Sequence, residues 1–175
     1  ISNQQLSGPL PVALGNLVAL RDLDLSGNLF TEVVPDLTFP RLEYLKLNDN
    51  QFAGFSGGII DRPLLKELHL QNNQIQGDVP AGLGNCISLE SINLSGNQIE
   101  SLSQDIGNLS QLRSLDVGFN QLKSLPDGVG LLNNLRHLKA ASNQIGYLPG
   151  NLGQSRSLIT LDLSYNQLTS IPGEI

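Results

Sequence analysis

Methionine and tryptophan are absent from these 175 residues, cysteine occurs once and histidine twice. A single cysteine, Cys86, permits no internal disulfide. Two histidines, His69 and His137, and that one thiol give no Cys/His cluster at metal-ligand spacing. No apolar run approaches the roughly 18 residues of a spanning helix, and no signal-peptide pattern opens the chain. Positive charge is also scarce. Ten Lys and Arg face sixteen Asp and Glu, for a net charge of −6. That balance argues against non-specific nucleic-acid binding, which needs a basic footprint, and equally against an anionic membrane surface. No P-loop, dinucleotide fingerprint, metal cluster or kinase signature occurs. The expectation is therefore a chain that is not an enzyme, has no cofactor and makes no direct membrane contact.

What is present is a pattern. The stretch from 89 to 99 reads LESINLSGNQI, with apolar residues at Leu89, Ile92 and Leu94, then Asn97, then Ile99. Ile92 and Leu94 alternate with Ser91, Asn93 and Ser95, the period of a strand with one apolar face. So short a strand cannot bury that face alone and needs copies of itself stacked on it. The pattern opens at Leu20, Leu42, Leu65, Leu89, Leu112, Leu135 and Leu158, at spacings of 22, 23, 24, 23, 23 and 23 residues. Its turn position holds Asn28, Asn50, Asn73, Asn97, Asn120, Asn143 and Asn166. A truncated copy precedes them, in which Ile1, Gln4 and Leu6 align with Leu25, Asn28 and Phe30.

These motifs resemble the leucine-rich repeat family across the whole chain. The resemblance implies an α/β fold: a right-handed solenoid with a concave parallel β-sheet and short 3-10 or irregular returns on the convex side. The return halves agree, being rich in Gly and Pro: LSGPLPVALGNL (6–17), IQGDVPAGLGNC (75–86), IESLSQDIGNL (99–109), LKSLPDGVGLL (122–132) and IGYLPGNLGQS (145–155). Pro11, Pro80, Pro126, Pro149 and Pro172 each follow a Leu, Val or Ile expected to point inward, and proline suits an irregular return rather than a central strand. Returns 30–41 and 52–64 depart from the common wording, so local irregularity is expected there. Residues 1–175 read as one array: a partial repeat, then seven, the last truncated. Without methionine and without visible polar caps, the expectation is a processed chain or an excerpt. Cys86 fills the slot of Leu17 and Leu109 and reads as a small buried hydrophobe.

The asparagine column is expected to satisfy turn backbone groups and to stack as a ladder. The outward strand positions are left for a partner. They fall into an acidic zone of Asp22, Asp24, Glu43, Asp49 and Glu67 around Tyr44 and Lys46, and a basic zone of Arg113, Arg136, His137 and Lys139 flanked by Phe119 and Tyr165. The candidate ligand-binding residues are Tyr44, Lys46, Glu67, His69, Phe119, Arg136, His137, Lys139 and Tyr165. Ser114, His137 and Asp162 are the residue types of a nucleophilic triad, but an open concave sheet offers neither oxyanion hole nor pocket. His69 and His137 lie three strands apart, about 14 Å at the usual strand spacing, too far to share a zinc ion.

Two Asn-x-Ser sequons occur, at Asn93 on a strand and at Asn108 on an outer return. A glycan at Asn108 is sterically harmless, whereas one at Asn93 blocks the concave face. Returns 6–17 and 75–86 resemble the plant-receptor subclass of the family, and LKSLPDGVG and LTSIPGEI the subclass of intracellular scaffolds. The expected function is recognition of a protein or peptide on the concave face, in a cell-surface or secreted receptor-like protein. The alternatives are a cytoplasmic signalling scaffold and, last, a surface-coat or ice-binding array.

Overall fold

The computed structural model describes residues 1–55, 62–173 and 175. Seven three-residue strands form one parallel sheet in chain order: Asp22–Asp24, Tyr44–Lys46, Glu67–His69, Ser91–Asn93, Ser114–Asp116, His137–Lys139 and Thr160–Asp162. Their central residues align in register from Leu23 through Leu45, Leu68, Ile92, Leu115 and Leu138 to Leu161. All but Leu161 are buried, as are Leu25, Leu47, Leu70, Leu94, Val117 and Ala140 two positions on. The period-two alternation thus sends alternate side chains into a continuous core, where neighbouring repeats seal one another. Phe30 and Phe52 stack there with ring centroids 6.2 Å apart.

Five-residue 3-10 helices form returns at Val12–Asn16, Ala81–Asn85, Gln104–Asn108, Asp127–Leu131 and Gly150–Gln154. Pro11, Pro80, Pro126 and Pro149 sit in extended backbone at the caps of four of them, where proline's fixed φ and missing N–H cost least. The residues before these prolines, Leu10, Val79, Leu125 and Leu148, are buried. Ile171, before Pro172, is an exception: it is exposed, and no described repeat stacks over it. Close stacking of the helices requires glycine, since a Cβ on Gly107 would meet the Gly128 carbonyl oxygen at 2.8 Å.

The returns contain more order than their sequence implies. Ser7–Pro9 pairs with Leu29–Thr31, Val33–Val34 with Gly54–Phe55, and Gln76–Val79 with Gln98–Leu102, each as a two-stranded parallel sheet. In the irregular return 30–41 a strand and buried Val34, Leu37 and Phe39 replace the 3-10 helix. Phe55, the extra aromatic of the next return, packs half-buried against the core, and residues 56–61 of that return lie outside the described residues. Cys86 is fully buried, and its sulfur also accepts the Arg62 N–H at 3.3 Å. Leu17, in the equivalent slot of the first return, is half exposed.

Candidate ligand-binding face

The asparagine column fixes the geometry beneath the face. Asn97 is typical: its Oδ1 accepts the Ile75 N–H at 3.0 Å, and its Nδ2 donates to the Leu70 and Leu94 carbonyls at 3.0 Å each. Asn50, Asn73, Asn120 and Asn143 are buried in the same role, each holding its own turn and the preceding repeat. Asn28 begins the column, accepting the Gln4 and Leu6 N–H groups, and Asn166 ends it half-buried.

The residue before each of these positions has a left-handed backbone. The φ values are 56° at Asn3, 64° at Gly27, 55° at Asp49, 56° at Asn72, 66° at Gly96, 54° at Phe119, 55° at Ser142 and 54° at Tyr165. Gly, Asn and Asp tolerate this conformation; an aromatic side chain does so at a cost of about 1–2 kcal/mol. Phe119 and Tyr165 nonetheless occupy it, 67% and 85% exposed.

The central outward column is Asp24, Lys46, His69, Asn93, Asp116, Lys139 and Asp162, aligned by strand register. The sequence suggests that all seven are free for a partner, and four are not. Asp24, Asn93, Asp116 and Asp162 each accept the N–H of the residue two positions on, at 3.0 to 3.1 Å. Ser26, Ser95 and Ser164 add a hydroxyl donor to the same oxygen. These donors, hydroxyl first and N–H second, hold Asp24 and Asp162 below the ordinary carboxylate value, and Lys46 and Lys139 contribute in the same direction. The signal was visible as Asp-Leu-Ser, Asn-Leu-Ser and Asp-Val-Gly at the strand ends. It also explains the Asn93 sequon, whose Ser95 is a turn donor in the place of Ser26 and Ser164.

The position after each opening leucine holds Arg21, Glu43, Lys66, Glu90, Arg113, Arg136 and Ile159. Glu43 bridges Arg21 at 3.3 Å and Lys66 at 2.7 Å, and Arg113 meets Glu90 at 3.4 Å. The Lys66 hydrogen bond lowers the Glu43 pKa, and the same contact raises that of Lys66. Alternation of sign every 22 to 24 residues was the sequence signal for this row. It fails at Arg136, which follows another cation and has no ion pair among the described residues.

The nine candidate residues fall into two groups. Tyr44, Lys46, Glu67 and His69 lie on two adjacent strands; His69 Nε2 is 3.2 Å from Glu67 Oε2, and Lys66 sits over the Tyr44 ring. His137 and Lys139 share one strand and Arg136 immediately precedes it, with Phe119 on the repeat before and Tyr165 on the repeat after. The second group is less basic than its sequence suggests. Arg113 is paired, and Lys139 stands in register between Asp116 and Asp162, 3.9 Å from Asp116 Oδ2. No triad assembles, because His137 Nδ1 faces Thr160 Oγ1 at 3.2 Å and Asp162 holds Ser164. Asn108 is exposed at the end of its helix, and Asn93 is half-buried in the sheet.

A repeat solenoid whose concave columns vary over a fixed ladder is a leucine-rich repeat array. The chain belongs to the leucine-rich repeat family: the profile described as "Leucine-rich repeat region" matches residues 61–175, and "Leucine Rich Repeat" matches 19–39. It is 33% identical to Receptor-like protein 18 of Arabidopsis thaliana over 103 residues, which is 57% of this chain and 12% of that protein. Among solved structures, it resembles the ectodomain of the Arabidopsis thaliana membrane receptor kinase GASSHO1/SCHENGEN3 in complex with CASPARIAN STRIP INTEGRITY FACTOR 2. That match has a TM-score of 0.92 and 34% identity, over 99% of this chain and 22% of the other. The Arabidopsis receptor kinase HAESA, solved with the peptide hormone IDA and the co-receptor SERK1, matches at a TM-score of 0.88 and 31% identity, over 97% of this chain and 29% of the other. Among the described residues no helix is long and apolar enough to cross a membrane.

Proposed function

We propose that this array is a non-enzymatic recognition module that holds a protein or peptide ligand across its concave sheet, within a cell-surface or secreted receptor-like protein. One observation carries the reading: around the Arg136 strand, side chains are exposed at a cost the fold does not recover. Arg136 is exposed outside the charge row's pairing, and Phe119 and Tyr165 present rings to solvent from a strained backbone. Exposed aromatics beside arginine are typical anchors of protein interfaces. The likeness to receptor kinases solved with their ligands supports a protein or peptide partner and a cell-surface setting.

The test is to pan a random linear peptide library on the folded chain and titrate the enriched peptides. The reading requires peptides that lose affinity to the Arg136→Glu variant and keep it with Leu131→Glu, an exposed position on a convex helix. An empty selection, or binding indifferent to Arg136→Glu, overturns it. For the compartment, intact-mass measurement of protein from its natural source is expected to find sugar on Asn108; bare Asn108 favours the cytoplasmic alternative.

A further inference from the structure

A hollow of about 260 Å³ opens on the concave face beside the second group of residues. Its cause is a shortening of side chains. The position two residues after the central column carries Ser26, Asn48, Gln71 and Ser95 on earlier repeats, and is smallest at Gly118 and Ala141 here. Asp116, Lys139 and Asp162 line one side of the space, and Phe119 forms its rim.

Two features give the hollow a chemistry. Two carboxylates face one ammonium, and that ammonium is loosely held: Lys139 Nζ is 3.9 Å from Asp116 Oδ2 with its side chain 56% exposed. The rim is an aromatic ring that lies outside the core cluster, held where Asn72 and Gly96 meet the same backbone demand with less strain. An aromatic face beside surplus carboxylate attracts a cation with an apolar stem, and it repels an anion.

We infer that this hollow is a specificity pocket for one Lys or Arg side chain of the ligand, with Phe119 against the cation and Asp116 and Asp162 as its counter-charges. The inference rests on the concave face being the ligand-binding face. Arg136, at the edge of the same repeat, is left for an acidic part of the same ligand. The pocket distinguishes ligands by rejection as well as attraction, since a neutral side chain leaves two carboxylates sharing the one Lys139 ammonium and an acidic one adds to the surplus negative charge.

The probe is a synthetic peptide enriched from the random linear library, titrated calorimetrically against the wild-type chain and against Ala141→Gln. Glutamine already occupies the equivalent slot at Gln71, so the substitution fills the hollow with a side chain the fold accommodates. The enriched peptides are expected to share one Lys or Arg. Replacing it with norleucine should weaken binding by about tenfold or more, Ala141→Gln should do the same, and the two together should lose little more than either alone. If Ala141→Gln does not fold, Phe119→Asn takes its place in the cycle. Peptides that depend on Arg136 yet share no cation, or that bind Ala141→Gln unchanged, overturn the pocket and leave the concave face standing. An empty selection removes both.

Discussion

The Asn97 side-chain oxygen accepts the backbone N–H of Ile75 at 3.0 Å, so a polar group of one repeat completes the turn of the repeat before it. Both partners are buried. Removing the amide strands the Ile75 N–H away from water, at about 1–3 kcal/mol, and takes one of two amide donors from the Leu70 and Leu94 carbonyls, which keep Asn73 and Asn120. Asn97→Ala is therefore expected to destabilise the chain by about 2 kcal/mol. Asn166→Ala, at a half-buried position, should cost visibly less. Denaturant unfolding of the two variants checks the order, and equal losses would contradict the ladder's role.

The left-handed column predicts a gain from an unusual source. Phe119→Asn replaces an aromatic at φ 54° with the residue found at Asn72, φ 56°. Stability should rise by about 1 kcal/mol, the strain released. Thermal melts measure it, and a lower midpoint would mean the ring does structural work that the contacts do not reveal.

Ser155 occupies the slot that holds Cys86, Leu109 and Leu132 in other repeats, and its buried hydroxyl has no hydrogen-bond partner among the described residues. A buried unpaired hydroxyl costs about 1–3 kcal/mol. Ser155→Ala should accordingly stabilise by about 1 kcal/mol, since the small cavity it leaves offsets part of the gain. Destabilisation in chemical denaturation would show that the hydroxyl is satisfied in solution.

Acid sensitivity follows from the strand-end turns. Asp24 and Asp162 ionise below the ordinary Asp value of 3.8 because Ser26 and Ser164 donate to them. A depressed carboxylate contributes stability that is present above its ordinary value and lost as the pH falls through its lower folded value. Melting temperature should fall as the pH drops below about 4, and less steeply in the Ser26→Ala, Ser164→Ala double variant. Parallel acid limbs for the two proteins would contradict the assignment.

Much of the fold was legible because one period sets everything inward: Leu23 to Leu138 face the core for the same reason at every repeat. Pairings such as Gln76–Val79 with Gln98–Leu102 were not, since they arise when stacking brings two polar return segments into register. At the candidate face, the sequence identified which columns point outward but not which members are occupied. Asp116 and Asp162 read as free charges and are turn acceptors; Arg113 and Arg136 read alike, and only Arg113 has its Glu90. The strain at Phe119 was hidden because a preference for left-handed backbone shows only when the column is compared at Gly27, Asp49, Asn72 and Gly96.

Recognition through variable side chains over a fixed ladder is tested most directly by amide NMR with an enriched linear peptide added. The resonances that move should cluster at 114–119, 137–141 and 160–165, while those of the convex helices at 104–108 and 127–131 stay in place. Shifts concentrated on those helices instead would contradict the account.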